Sequence, residues 1–112
     1  MKNDILKPRR SPEERQKNYK IATQKRIQKY IKDGGKGNLN LIGTPIKELP
    51  DNLKVGGNLF LRNNPIKKLP DNLKVGGYLF LMRTPLSKEY SEEEIRSMIE
   101  EKGGYVKKFI VL

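Results

Sequence analysis

The side chains of this chain that could do chemistry are cations and aromatic rings; the residue types that most often carry catalysis are missing. Histidine and cysteine are both absent from the 112 residues. Without imidazole there is no Ser-His-Asp triad, no imidazole metal site and no group that titrates near neutrality unperturbed. Without thiols there is no cysteine nucleophile, no zinc–thiolate site and no disulfide, and the redox compartment is left open. Gly34-Gly35-Lys36-Gly37 has the composition of a phosphate loop, but the full Walker spacing is missing and no Ser or Thr follows the lysine. A linker accounts for it. Glu92-Glu93-Glu94 with Glu100-Glu101 offers carboxylates for a metal, yet helix capping explains the first group and solvation the second. No general base, nucleophile and stabilising group converge, so the expectation is a non-enzymatic protein with no catalytic residue, metal, cofactor or small-molecule substrate.

The cations are unevenly spread. Formal net charge is +11. Residues 1–36 hold 12 Lys/Arg against 4 Asp/Glu, and residues 37–112 hold 12 against 9. That is a basic arm joined to a near-neutral body, and such an arm attracts RNA, DNA or an acidic protein face with strong salt dependence. Lys7, Arg9, Arg10, Arg15, Lys25, Arg26 and Lys29 are the candidate nucleic-acid contacts, with Tyr19 and Tyr30 available to stack on bases. The bland alternative is an ordinary amphipathic helix with a solvated face. No nucleic-acid-binding motif is present, and base specificity is not readable.

These groups need elements to position them. Ser11-Pro12-Glu13-Glu14 is a helix start, with Ser11 as N-cap, Pro12 in the first turn and Glu14 completing a capping box. No Gly or Pro interrupts the chain from there to Ile31, and Asp33-Gly34-Gly35 ends the helix. Tyr19, Ala22, Thr23, Ile27, Tyr30 and Ile31 define its apolar face. Ahead of it, residues 1–11 read as a flexible basic arm. Then GNLNLIGTPIKELPDNLKVG (Gly37 to Gly56) and GNLFLRNNPIKKLPDNLKVG (Gly57 to Gly76) align without gaps, with fifteen of twenty positions identical. A third copy begins as GYLFLMRTPL, from Gly77 to Leu86, and departs. Leu59 and Leu61 fall on one face of a strand, with Asn58, Phe60 and Arg62 on the other. Pro65 stops the ladder, Ile66 and Leu69 return to the core, and Leu73 and Val75 add contacts around the Pro70-Asp71-Asn72 turn. One unit cannot enclose its own leucines, so neighbours must bury them.

The motif L-x-L-x-x-N-x-I-x-x-L-P, from Leu59 to Pro70, resembles a leucine-rich repeat. The 20-residue length and the Leu-Pro pair are similar to the short repeats of bacterial effector proteins. The near-identical copies, the LPDNLKVGG turn and the small size resemble small bacteriophage-encoded repeat proteins. The resemblance covers residues 37–86 and implies an α+β repeat fold: a short leucine-rich-repeat solenoid with one narrow parallel sheet, a basic capping helix and linker over 12–36, and a C-terminal cap over 87–112. Asn64 falls where the family's ladder asparagine bonds the neighbouring turn, whereas Thr44 and Thr84 occupy that place in the other copies. Gly56 and Gly76 replace a customary leucine, which implies a thin incoming turn. The cap is expected to start with a capping box from Ser91 to Glu94, to place Ile95, Met98 and Ile99 on an apolar stripe, and to end at Gly103-Gly104. Tyr105 to Leu112 then reads as one strand that closes the sheet or is covered by the helix, with a partner-binding strand as the lesser alternative.

Outward positions read copy by copy give Asn38, Asn40 and Ile42, then Asn58, Phe60 and Arg62, then Tyr78, Phe80 and Met82, with Asn63 and Arg83 just beyond their strands. Aromatics, methionine and arginine are enriched at interface hot spots. Asn58, Phe60, Arg62, Tyr78, Phe80, Met82 and Arg83 are therefore the candidate protein-binding set, and the resemblance implies that this concave face takes ligands. The alternative is that the N-terminal helix or C-terminal segment folds across it. The partner expected is a protein or nucleoprotein assembly of a host or virus, with nucleic acid as a second possibility. Inhibition of a host machine and a structural place in a virion are the competing roles. No run approaches the ~20 apolar residues that span a bilayer, and the polar start lacks the centre of a signal peptide. A cytoplasmic or virion-borne monomer is the expectation.

Overall fold

The computed structural model describes residues 12–112, with side chains described from Ile21 onward. Helix α1 spans Pro12–Lys32. It ends where Gly34 and Gly35 take φ of 100° and 67°. Their amides donate back to the Ile31 and Tyr30 carbonyls, each at 3.0 Å, a closure that a left-handed glycine allows at no steric cost. The buried face of α1 is narrower than the sequence suggests. Thr23 and Ile27 are buried and Tyr30 is half-buried, along a single ridge. Ala22 and Ile31 are exposed instead, because the helix rests on the edge of one unit rather than on a broad surface. The Ser11 cap, the arm 1–11 and the side chains of Arg15 and Tyr19 lie outside what is described.

The repeated segments form two parallel sheets, not one. The first holds β1 (Leu39–Asn40), β3 (Leu59–Phe60), β5 (Leu79–Phe80) and β7 (Ile110–Val111), in that order. The second holds β2 (Lys54–Val55), β4 (Lys74–Val75) and β6 (Tyr105–Val106). Leu39 pairs with Leu59 and Leu59 with Leu79, so the register equals the sequence repeat. Lys54 pairs with Lys74 in the same way. The expected single sheet is corrected here: Val55 and Val75 do not merely pack in a turn but carry ladder hydrogen bonds, as in Gly76 N–H to Val55 O at 2.8 Å.

The core lies between the two sheets. Leu59, Leu61, Ile66, Leu73, Val75, Leu79 and Leu81 have no exposure at all. Each fully buried Leu or Ile contributes about 2–3 kcal/mol of transfer free energy, and stacking supplies the neighbour that buries it. Backbones approach closely at the glycine pairs. A Cβ on Gly57 would sit 2.8 Å from the Gly37 carbonyl oxygen, so this thin turn excludes any larger residue. Asn64 Nδ2 donates to Leu41 O at 2.8 Å and to Thr44 O at 2.7 Å, tying its unit to the preceding turn. Thr84 bonds Leu81 O within its own unit instead, so the asparagine ladder does not continue.

After β5 the chain inserts two helices before closing. Thr84 caps α2 (Pro85–Glu89), a helix the sequence pattern does not predict. Ser91 and Glu94 form the expected reciprocal box at the start of α3 (Glu92–Glu101). Gly103 and Gly104 close α3 by bonds to Glu100 O and Ile99 O. Ile95 and Ile99 are buried, while Met98 is only partly so. Tyr105 to Leu112 is not one strand. β6 extends the second sheet at β4 and β7 extends the first at β5, with Lys107, Lys108 and Phe109 between them. Helix α3 packs on both. Arg96 donates to Val106 O and Lys108 O, each at 2.7 Å, and so satisfies carbonyls at the end of β6 and in the segment that links it to β7.

Candidate binding face

Alternation along the two-residue strands sends the leucines inward and their neighbours outward. In the first sheet the outward register runs Asn40, Phe60, Phe80, Val111. Strands about 4.8 Å apart carry identical residues to the same spacing. The Phe60 and Phe80 rings accordingly stack with centroids 4.8 Å apart and planes within 1°. Tyr78 leans on Phe80 at 5.9 Å. Phe109 extends the row, 6.1 Å from Tyr78. Phe60, Tyr78 and Phe80 are half-buried, and Phe109 is 65% exposed. The C-terminal segment joins the sheet as β7 rather than crossing this row, and among the described residues α1 meets the sheet at its β1 edge, where Arg26 donates to Asn40 O at 3.1 Å.

The other residues singled out from the sequence fall around the rings. Arg62 and Arg83 are exposed, and Met82 is half-buried. Arg83 stands in the left-handed region at φ 58°, where the other two copies have Asn63 at 59° and Gly43 at 71°. Asn58 is tied inward: its side-chain oxygen accepts the Tyr78 N–H at 2.8 Å. Phe109 lies in the tail that the sequence reads as a separate strand, outside the strand-face set, although Tyr105-Val106-Lys107-Lys108-Phe109-Ile110-Val111-Leu112 mirrors Lys74-Val75-Gly76-Gly77-Tyr78-Leu79-Phe80-Leu81 position for position. That hidden fourth copy was the available signal.

The basic set divides. Lys7, Arg9 and Arg10 fall outside the described residues, as does the Arg15 side chain. Lys25, Arg26 and Lys29 are exposed on α1. Of these, Arg26 and Lys29 face the strand surface, where they line an open recess of about 570 Å³ with Asn38, Asn40 and Ile42. The two surfaces read separately from the sequence thus meet at β1. Tyr30 is not free to stack on a base. Its single hydroxyl proton is shared between Gly35 O and Gly37 O, both at 2.8 Å, and its oxygen accepts the Gly56 N–H at 3.2 Å. Burial raises its pKa above the ordinary value of 10.0, opposed by the Gly56 bond. On the far flank of α1 a groove of about 580 Å³ runs between Ile27, Ile31 and the Pro45–Pro50 segment.

The remaining motifs have structural occupations. Gly34 and Gly35 terminate α1, Glu94 caps α3, and Glu92 pairs with Arg96 at 3.5 Å. Among the described residues no group of three or more acidic side chains is placed to hold a metal ion, and no helix is long and apolar enough to cross a membrane. No protein-family model matches the chain. Comparison with curated proteins and with solved structures likewise finds no match.

Proposed function

We propose that residues 37–86 are leucine-rich repeats stacked as a short solenoid, and that the protein is a non-enzymatic binding protein. Its strand face and basic α1 engage a protein or nucleoprotein assembly. Pairing of each unit with the next at the sequence period supports the repeat reading. The resemblance of the near-identical copies and their LPDNLKVGG turn to small bacteriophage repeat proteins supports a host or viral assembly as the partner.

One observation carries the binding role: a continuous row of four rings, Phe60, Phe80, Tyr78 and Phe109, left partly open on a sheet face. Contiguous exposed aromatic surface is costly in water and marks interaction sites. The rim of the row is cationic, with Arg62, Arg83, Lys107 and Lys108 exposed. A partner with an acidic surface complements it. The face presents no acid–base pair in place to act on a substrate.

The test is affinity capture with the wild type and with a Phe60→Ser/Phe80→Ser variant shown by circular dichroism to keep its fold. The expected result is a specific partner retained by the wild type after nuclease and moderate salt and lost by the variant. Equal capture by both removes the strand face from the interaction.

A further inference from the structure

The half of the strand face next to α1 offers hydrogen-bond donors almost exclusively. Asn38 Oδ1 accepts the Asn58 N–H at 2.8 Å, Asn58 Oδ1 accepts the Tyr78 N–H at 2.8 Å, and Asn40 Oδ1 accepts the Ile42 N–H at 3.0 Å. A backbone N–H can bond only to the oxygen of an amide, so these contacts fix all three side chains with the NH₂ end turned away. No acceptor among the described residues is bonded to those three NH₂ groups. Beside Asn38 and Asn40 stand the Arg26 guanidinium and the Lys29 ammonium, and these four line the recess of about 570 Å³. Asp33 is the single carboxylate lining it.

A flat apolar surface adjoins these donors. Phe80 covers one face of Phe60, with the planes within 1°. The stacking axis therefore runs across the strands, and the other face of Phe60 looks over Asn40, its register partner on β1. The ring column stops there because the first unit has an asparagine where the next two have phenylalanine.

From this we propose that single-stranded nucleic acid binds the recess, with a base stacked on the open face of Phe60 over Asn40 and phosphates held by Arg26 and Lys29. The inference rests on the reading of the strand face as a nucleoprotein-binding surface, and assigns its α1 end to the nucleic acid of that assembly while the ring row beyond Phe60 meets the protein. A phosphodiester backbone brings acceptors and no donors, which suits a surface of donors. An acidic peptide brings a backbone N–H at nearly every residue, and these would face donors. A duplex keeps its bases stacked on one another and cannot present one to Phe60.

Fluorescence anisotropy of the full chain tests this with a labelled single strand of roughly 12 nucleotides, as RNA and as DNA, beside a duplex and poly-glutamate. Because the chain carries +11, charge alone gives some binding, and a charge-matched control is required. Arg26→Glu/Lys29→Glu is compared with Lys47→Glu/Lys67→Glu, which changes exposed lysines on the return segments. The expected result is a loss at least about tenfold greater for the first pair, about tenfold or more for Phe60→Ala, and recovery with Phe60→Trp, whose fluorescence is quenched by the stacked base. Lys29→Glu alone serves if removing Arg26 from the β1 edge unfolds the protein. Equal losses from the two pairs, or equal affinity for duplex and single strand, overturn the proposal. Poly-glutamate binding with the same dependence on Phe60 also overturns it, while leaving the strand face as a protein-binding surface.

Discussion

Arg83→Asn should make the protein more stable and at the same time a poorer binder. Arg83 holds φ at 58°, a region that costs an L-residue with a full side chain about 1 kcal/mol or more. The matching positions are Gly43 and Asn63, residue types that enter that region cheaply. Arg83 is exposed and forms no hydrogen bond or ion pair with any described residue, so replacing it forfeits no such contact. Asparagine is the cleaner substitution than glycine, since it does not also loosen the unfolded chain. A gain of about 1 kcal/mol corresponds to a rise of about 4 °C in Tm for a domain of this size. Thermal and urea denaturation of both proteins measure it. A fall in Tm would show that the Arg83 side chain stabilises the fold and would refute a net cost from its left-handed backbone.

Three further predictions test separate parts of the fold. Asn64→Ala removes the bonds from Nδ2 to Leu41 O, Thr44 O and Thr44 Oγ1 and leaves Thr44 O without its donor, while Leu41 O keeps the Thr44 N–H and hydroxyl; urea denaturation should show a loss of about 1–2 kcal/mol. Arg96→Ala strips the Val106 and Lys108 carbonyls of their donor, so amide hydrogen exchange should quicken across β6 and β7 while β1 to β3 stays protected. Tyr30 carries a raised pKa through burial. The folded state therefore holds its proton longer than the unfolded chain, and the stability this gives is present below the ordinary value near 10 and fades as pH climbs through the folded value. Tyr30→Phe should flatten the alkaline limb of the stability profile above pH 10 relative to wild type, and an unchanged slope would count against the buried hydroxyl.

The parts of the fold that could be read from the sequence are those where one residue pattern had only one physical solution. Near-identical copies at a constant period leave parallel in-register pairing of Leu39, Leu59 and Leu79 as the way to bury their leucines. Ser91 with Glu94, and the glycine pairs after Asp33 and Lys102, marked helix ends through bonds that depend on a few local residues. The second sheet is hidden because Leu53-Lys54-Val55 and Leu73-Lys74-Val75 lie directly between a Pro-Asp-Asn turn and a Gly-Gly pair, so the whole stretch reads as one bend rather than as a strand. The last coil escaped because α2 and α3 are inserted within it, so Ile110 pairs with Leu79 at a longer spacing than the repeat. With that coil went Phe109, which only its alignment with Tyr78 reveals. Ala22 and Ile31 were assigned to the buried face of α1 by periodicity, but the width of a buried stripe is set by the surface it meets, and that lies outside the helix sequence. The inward tie of Asn58 and the outward NH₂ groups of its neighbours depend on backbone positions that no linear pattern displays.

If the ring face is where a partner holds this protein, position-specific photo-crosslinking reveals it without knowing who the partner is. A photoreactive phenylalanine analogue is placed at Phe60 or Phe80, and in parallel at Lys67 or Lys68 on the return segment of the same unit. Adducts with a partner macromolecule are expected from positions 60 and 80 and none from 67 and 68. Adducts from 67 and 68 alone would place the interaction on the opposite side and contradict a ring-face interface.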